Sequence, residues 1–487
     1  MAKKRNLLFI LTDQQRQDSL RCYGNRWIQT PNLDALARSS FVMDNAYVTQ
    51  PVCTPSRSSI MTGLYPQTTG LVRNGISVGP ETKTIAEMVS DDYVCAHFGK
   101  WHLGDDVVAQ HGFEQWISIE GAHALREFSE ACSDVEPDYH GFLRENGVEP
   151  PAPLVSYETW APGAGLPEGL TPASFLAIEA SRFIDEHASS ATDRPFILFV
   201  SLFEPHPPYT GPLNGTYSPD EIEVGPAFLE RPEGGSRLNE LRADYYLAGN
   251  LNPLGVAGGD FHDTTTEAGW RKLRAQYFAN VTLVDRAVGR ILNSLDDSGL
   301  TDDTLVVFTS EHGEMAGDHG MLEKRSLYEE ASRVPLLVKV PWLQDGGARI
   351  GGSFGQIDLV PTLLDLLGES APEELEGESR APVLRGDASL RDSDVFLQWN
   401  GEGDRDLGTP EINSLIAEPW RSVVTGDRWK LNLCPGDRCE LYDLNADPHE
   451  LTNLYADPAH RTRVRDMAAR VRGWLESVGD TTALPEV

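Results

Sequence analysis

Apolar residues gather in short runs at positions 7–11, 196–203, 304–309 and 335–340. Each is too short for a helix of ordinary length, so each is predicted to be a β-strand. Helical stretches lie between the runs, such as 31–38 and 173–187. The longest predicted helix covers 270–295. Leu273, Tyr277, Val281, Val284, Val288, Ile291 and Leu295 recur there at three- and four-residue spacing, and Gly299 follows as a stop signal. Strands alternating with amphipathic helices predict an α/β domain with a mostly parallel sheet flanked by helices.

The pattern breaks in three places. Residues 145–172 and 205–259 are irregular and rich in proline and glycine. Such lengths suit functional loops walling a pocket, or else plain surface insertions. After about residue 385 the runs become shorter, at 395–399, 421–425, 429–433 and 440–444, and a helical pattern at 462–478 closes the chain. This predicts two domains, a large α/β unit over 1–385 and a smaller antiparallel-sheet unit over 386–487. No internal repeat is present.

Composition narrows the partners. The 487 residues carry 41 basic and 74 acidic side chains, a net charge of −33. That excess argues against nucleic acid and against anionic membranes as partners. It also means that an anionic substrate needs locally placed positive charge. No apolar run reaches the length of a membrane span. Met1-Ala-Lys-Lys-Arg runs directly into the first strand with no secretory hydrophobic region, so a cytoplasmic location is expected. Cys22, Cys53, Cys95, Cys132, Cys434 and Cys439 form no Cys-x-x-Cys pair, which disfavours a structural zinc site. Cys434 and Cys439 are expected as free thiols.

Chemistry-bearing residues follow the predicted strands. Asp13 and Gln14 follow the first, Lys100 and His102 follow the run 93–98, His206 follows 196–203, and Glu311 and His312 follow 304–309. Open α/β sheets bind ligands at the carboxyl ends of their strands, so these groups are expected on one rim. Singly, each has a plainer reading: a cap for Asp13, a surface residue for Lys100, a turn residue for His206, a solvated acidic loop for Glu311 and His312. Cys53 precedes a proline-marked helix start at Pro55, with Arg57 one turn on. A helix N-terminus and a guanidinium together suit a bound oxyanion. Cys53 alone would otherwise read as a buried thiol.

Cys53-Thr54-Pro55-Ser56-Arg57 resembles the Cys-x-Pro-x-Arg signature of type I sulfatases. Gly63-Leu64-Tyr65-Pro66 and Gly70 resemble the segment that follows it in that family. Gly99-Lys100-Trp101-His102-Leu103-Gly104 resembles the second signature. The run Thr309-Ser310-Glu311-His312-Gly313-Glu314, then Gly317-Asp318-His319-Gly320 and Lys324, resembles the metal-binding segment. Leu441-Tyr442-Asp443-Leu444 and Asp447-Pro448 resemble a later landmark. The likeness spans nearly the whole chain.

The resemblance implies an alkaline-phosphatase-like fold and a formylglycine nucleophile made from Cys53 by a dedicated formylglycine-generating enzyme. It implies one divalent cation, calcium first and magnesium or manganese next, held by Asp13, Gln14, Glu311, His312 and residue 53. Lys100 and Arg57 would hold the modified residue. His206 and Lys324 would bind sulfate oxygens, and one would protonate the leaving oxygen. One hydroxyl of the hydrated aldehyde would attack sulfur. The other would lose its proton to His102 and expel sulfate. Arg73 and Asn74 are candidate substrate contacts, with a turn role for Asn74-Gly75 as the alternative. Arg421 is a weaker candidate.

Some positions depart from the family pattern. Gln14 stands where many members carry aspartate, as in the branch of choline sulfatases and phosphonate monoester hydrolases. Glu311 replaces the usual aspartate and extends the carboxylate by about 1.5 Å, roughly one bond. Asp92 and Cys95 replace a glycine and a threonine. The expected function is hydrolysis of a sulfate ester, of a small carbohydrate by preference. The alternatives are a phosphonate monoester or phosphodiester hydrolase on the same scaffold, or a non-catalytic sulfated-glycan-binding relative.

Overall fold

The computed structural model describes residues 4–120, 132, 135–150, 165–190, 192–250, 263–343, 346–403 and 408–487. The described parts form an α/β fold around one large sheet. Its strands are β1 (Asn6–Thr12), β2 (Phe41–Tyr47), β3 (Val94–Gly99), β4 (Gln115–Ile117), β5 (Phe196–Ser201), β6 (Thr304–Ser310), β7 (Arg333–Val334), β8 (Leu336–Lys339) and β9 (Ala348–Gly355). They run in the order β4-β3-β5-β1-β6-β8-β2-β7, with β9 also paired to β2. Strands β4, β3, β5, β1 and β6 are parallel, whereas β8 is antiparallel to β6 and to β2. Two reversals make β2 run with the central strands. The chain leaving β2 therefore arrives at the same edge as the chain leaving β1.

The register shows why the central runs are apolar throughout. Leu8 pairs with Leu198 and Val306, and all three join one core cluster. Phe9 pairs with Phe199 and Val307, and these join the cluster on the opposite face. A strand covered on both faces has no polar side to show. Helices Pro172–Ser189 and Glu267–Asp297 cover the first face, and helix Leu359–Leu367 covers the second. Thr171 and Thr266 cap the first two by accepting the N–H of Ser174 and Gly269. No described helix is long and apolar enough to cross a membrane.

A second, four-stranded antiparallel sheet holds β10 (Val395–Trp399), β11 (Trp420–Val424), β12 (Trp429–Leu433) and β13 (Glu440–Asp443). Helix Arg461–Ser477 packs Val464, Met467, Val471 and Trp474 on its inner face, together with Val423, Leu431 and Leu441. The six cysteines are free thiols.

The stretch 205–259 is less irregular than its composition implied. It contains helix Arg237–Leu247, started by Ser236 accepting the N–H of Asn239. Positions 251–259 of that stretch and 151–164 of the other lie outside the described residues.

His97 on β3 is buried with its ring 5.1 Å from Trp101, 5.6 Å from Phe113 and 4.7 Å from Trp116. Burial, with Arg57 adding to it, pushes its imidazole down from 6.5 to about 3. The folded chain thus keeps His97 neutral where the unfolded chain takes a proton. Stability from this group is complete above 6.5 and is lost as pH falls toward 3. His97→Phe is expected to flatten the acid-side decline of the denaturant midpoint between about pH 6.5 and 5, by up to about 1.4 kcal/mol per pH unit. An unchanged slope would refute this.

Candidate active site

The central strands deliver their following residues to one edge. Asp13 and Gln14 leave β1, Lys100 and His102 leave β3, His206 leaves the β5 loop, and Glu311 and His312 leave β6. Gly99 ends β3 at φ 107°, and a Cβ there would overlap the Ser201 carbonyl oxygen on β5. Only glycine lets the chain turn so close to β5 and send Lys100 inward.

Cys53 enters from the far side of the sheet. Helix Cys53–Thr62 begins at Cys53 itself, earlier than the proline suggested, with Val52 as its N-cap. The first-turn N–H groups are not all open: Asn74 Oδ1 accepts the Thr54 N–H at 3.0 Å. Asn74 thus acts here as an external cap. Arg73 beside it contacts the Asn74 carbonyl at 3.4 Å.

Asp13, Cys53, Glu311 and His312 are buried, and one ligand atom from each lies within 4.8 Å of the others. Positive groups surround them. Lys100 Nζ bonds Asp13 Oδ2, and Arg57 pairs with Glu311. Arg57 Nη1 also donates to the Lys100 carbonyl at 2.6 Å. Lys324 Nζ lies 3.4 Å from Cys53 Sγ and 2.7 Å from Gln14 Oε1. Burial alone would raise the Asp13 carboxyl, but Lys100, with Lys324, holds it well below the usual range.

The donor set fits a divalent cation. Asp13 Oδ1 and Glu311 Oε1 are buried carboxylate oxygens without a well-formed hydrogen bond. Such oxygens are costly unless something positive meets them. His312 Nδ1 lies 2.9 Å from the Gly313 carbonyl, so Nδ1 carries the hydrogen and Nε2 is the nitrogen that could ligate a cation. That Nε2 lies 3.4 Å from Cys53 Sγ and 3.1 Å from Glu311 Oε1. The longer arm of Glu311 still ends inside the cluster.

The other two histidines are poised neutral. Burial, then Lys100 and Arg57, depress His102 well below its ordinary value. Burial and Lys324 do the same to His206. His206 Nδ1 donates to the Pro207 carbonyl at 2.7 Å, so Nδ1 carries the hydrogen. His102 takes the left-handed backbone at φ 60°, and Asp106 Oδ1 accepts its N–H at 2.6 Å. Thr54 Oγ1 sits 3.2 Å from His102 Nδ1.

The structure thus brings together Asp13, Gln14, Cys53, Arg57, Lys100, His102, His206, Glu311, His312 and Lys324. Arg421 lies elsewhere, with its guanidinium bonded to Asp480, Thr482, Asn400 and the carbonyls of Trp399 and Trp420. It fastens the end of the chain to the small sheet. Sequence reasoning missed Asp106 and Tyr209, which carry no motif. Glu314 was visible in the metal-binding segment but had no assigned role.

The sulfatase family profile matches residues 5–369, and the C-terminal profile of N-sulphoglucosamine sulphohydrolase matches 317–476. The ulvan-active sulfatase of Formosa agariphila is 28% identical over 409 residues, which covers 81% of this chain and 68% of that protein. The N-acetylglucosamine-6-O-sulfatase of Bacteroides thetaiotaomicron is 25% identical over 432 residues, covering 79% and 72%. The crystal structure of the phosphonate monoester hydrolase of Agrobacterium radiobacter superposes with a TM-score of 0.76 at 25% identity, covering 98% of this chain and 96% of that one. With a matching profile over most of its length, the chain belongs to the sulfatase family of the alkaline-phosphatase-like superfamily and is a sulfuric ester hydrolase.

Proposed function

We propose that the chain hydrolyses the sulfate ester of a small carbohydrate, using formylglycine made from Cys53 and one divalent cation. One observation carries this reading: Cys53 at the first turn of its helix, flanked by Lys324 and by the Asp13–Glu311–His312 donors. The carbohydrate class rests on the names of the two relatives, an ulvan-active and an N-acetylglucosamine-6-O-sulfatase. A cytoplasmic enzyme would take an imported ester rather than a polymer. The division into 1–385 and 386–487 belongs to the same proposal.

Asp13, Glu311 and His312 would hold the cation with Gln14 and residue 53. Calcium suits a mostly oxygen donor set, with magnesium and manganese next. When bound, it supplies Lewis-acid stabilisation to a sulfate oxygen. Lys100 and Arg57 keep the Asp13 and Glu311 carboxylates in place and fix residue 53 between them. Lys324 supplies a positive contact to the sulfate. His206 contacts a sulfate oxygen, and the Lys324 ammonium, 3.4 Å from Cys53 Sγ, donates to the leaving oxygen. His102 starts neutral and accepts the proton that lets residue 53 release sulfate. The hydrated aldehyde supplies the two hydroxyls this cycle needs, and its making requires a formylglycine-generating enzyme.

Gln14 and the phosphonate monoester hydrolase likeness support a second reading, a phosphodiester or phosphonate monoester hydrolase. Parallel rates on an aryl sulfate and an aryl phosphodiester decide between them, and a higher kcat/KM on the phosphodiester ends the first reading. Mass spectrometry of the peptide across Cys53 is expected to show a loss of about 18 Da for thiol to aldehyde. Chelation is expected to abolish turnover, and added calcium, magnesium or manganese to restore it. Full turnover in excess chelator would end the cation reading.

A further inference from the structure

Glu314 is fully buried, and it accepts each of its hydrogen bonds from the described residues. Oε1 accepts the backbone N–H of Ala316 at 2.9 Å and of Glu323 at 2.6 Å. Oε2 accepts the Tyr209 hydroxyl at 2.8 Å and the side-chain NH2 of Gln14. An acceptor-only neighbour dictates which way an amide faces. Gln14 Nε2 must point to Glu314, so Oε1 points away from it, to Lys324 Nζ at 2.7 Å. The same ammonium reaches Cys53 Sγ. Tyr209 tightens the arrangement, since its oxygen accepts from Gln14 at 3.3 Å while its hydrogen goes to Glu314. Gln14 itself sits at φ 67°, with its carbonyl bonded by the Tyr277 hydroxyl at 2.9 Å.

We propose that Glu314, helped by Tyr209, is a positioning residue that turns the Gln14 amide oxygen toward the cation site, and that Glu314 is why position 14 carries an amide rather than a carboxylate. The inference rests on the reading that Asp13, Glu311, His312 and residue 53 hold a cation. A carboxylate at position 14 would set an oxygen against Glu314 Oε2 with no hydrogen between them. Glu314→Gln alone creates the opposite fault. The introduced amide must keep its oxygen on the two backbone N–H groups, so its NH2 meets the Gln14 NH2. Gln14→Glu combined with Glu314→Gln removes both faults, because donor and acceptor simply change sides.

The test is calorimetric titration of chelator-treated protein with calcium and with manganese, with thermal melting of each variant beside it. Gln14→Glu and Glu314→Gln are each expected to weaken cation binding about 10- to 100-fold, as loss of a ligand's hydrogen-bond partner does. Tyr209→Phe is expected to weaken it less. The double variant is expected to regain affinity to within about threefold of wild type, a coupling that mere loss of packing does not produce. Should Glu314→Gln fail to fold, Gln14→Glu and Tyr209→Phe still decide the question. Single variants with wild-type affinity, or a double variant weaker than either single one, would overturn the proposal while leaving the cation reading intact. Wild-type protein that binds neither ion would overturn both.

Discussion

Cys53→Ala is expected to lower kcat on an aryl sulfate by at least about 10⁴-fold while leaving the fold in place. The thiol is 1% exposed and occupies the first turn of its helix, 3.4 Å from Lys324 Nζ and 3.4 Å from His312 Nε2. Alanine keeps the helix, the Asn74 cap and the carboxylates, and removes only the thiol that maturation would replace with the aldehyde. Loss of one buried sulfur costs about 1 kcal/mol, within the ordinary range for a point substitution. Rates and denaturant melting on the same preparation separate chemistry from folding. Cys53→Ser sharpens the test. A serine hydroxyl can accept the sulfuryl group but has no second hydroxyl to expel it. This variant is expected to give at most one turnover and a protein heavier by about 80 Da, the mass of the added group. Sustained turnover by either variant above a tenth of the wild-type rate would remove residue 53 from the chemistry.

Lys430→Met is expected to cost about 3–5 kcal/mol of stability, the usual penalty for stripping one partner from a buried ion cluster. Lys430 on β12 is fully buried. Its ammonium meets Glu329 Oε1 at 2.8 Å, Glu450 Oε1 at 3.0 Å and the Leu327 carbonyl at 2.7 Å. Glu450 Oε2 in turn accepts the Glu329 N–H at 2.6 Å. These bonds tie the small sheet to the segment that carries Lys324. Burial raises both carboxyls, but Lys430 and Arg333 bring Glu329 down to about 2. In Glu450, burial and the Glu329 charge outweigh Lys430, and it is pushed up to about 8. One cation therefore serves one carboxylate fully and the other by sharing. Without it Glu450 loses its cation and Glu329 is left to Arg333, 3.2 Å away. Adding Glu329→Gln and Glu450→Gln to the lysine change is expected to recover part of the loss, since the uncompensated charges go with it. A midpoint for Lys430→Met within about 1 kcal/mol of wild type would show that this cluster does not hold the two sheets together.

Which parts of this molecule were readable in one dimension depends on how local their causes are. The central strands β1, β5 and β6 stood out because burial on both faces leaves an unbroken apolar run. Strands β2 and β9 did not. The first is interrupted by Asp44 and Asn45, the second is rich in glycine, and each exists through pairing with the other. Helix Arg237–Leu247 was hidden inside a stretch read as irregular. It has no clear apolar stripe, and its Arg242 is used to bond the carbonyls of Leu322, Lys324 and Arg325.

The site divides along the same line. Residue types, order and motif spacing along the chain were enough for the sulfatase family and for naming the acidic, basic and imidazole side chains that meet at the sheet edge, because those are properties of the side chains themselves. Only the tertiary structure decided how they are oriented. It assigned Asp106 to His102, turned Asn74 into a helix cap, sent Arg421 to the chain's end and set Glu314 and Tyr209 around Gln14. The physical reason is that a hydrogen bond between residues some 300 positions apart, as between Gln14 and Glu314, leaves no periodic trace in the chain. It arises where parallel strands end together and buried polar atoms must find partners.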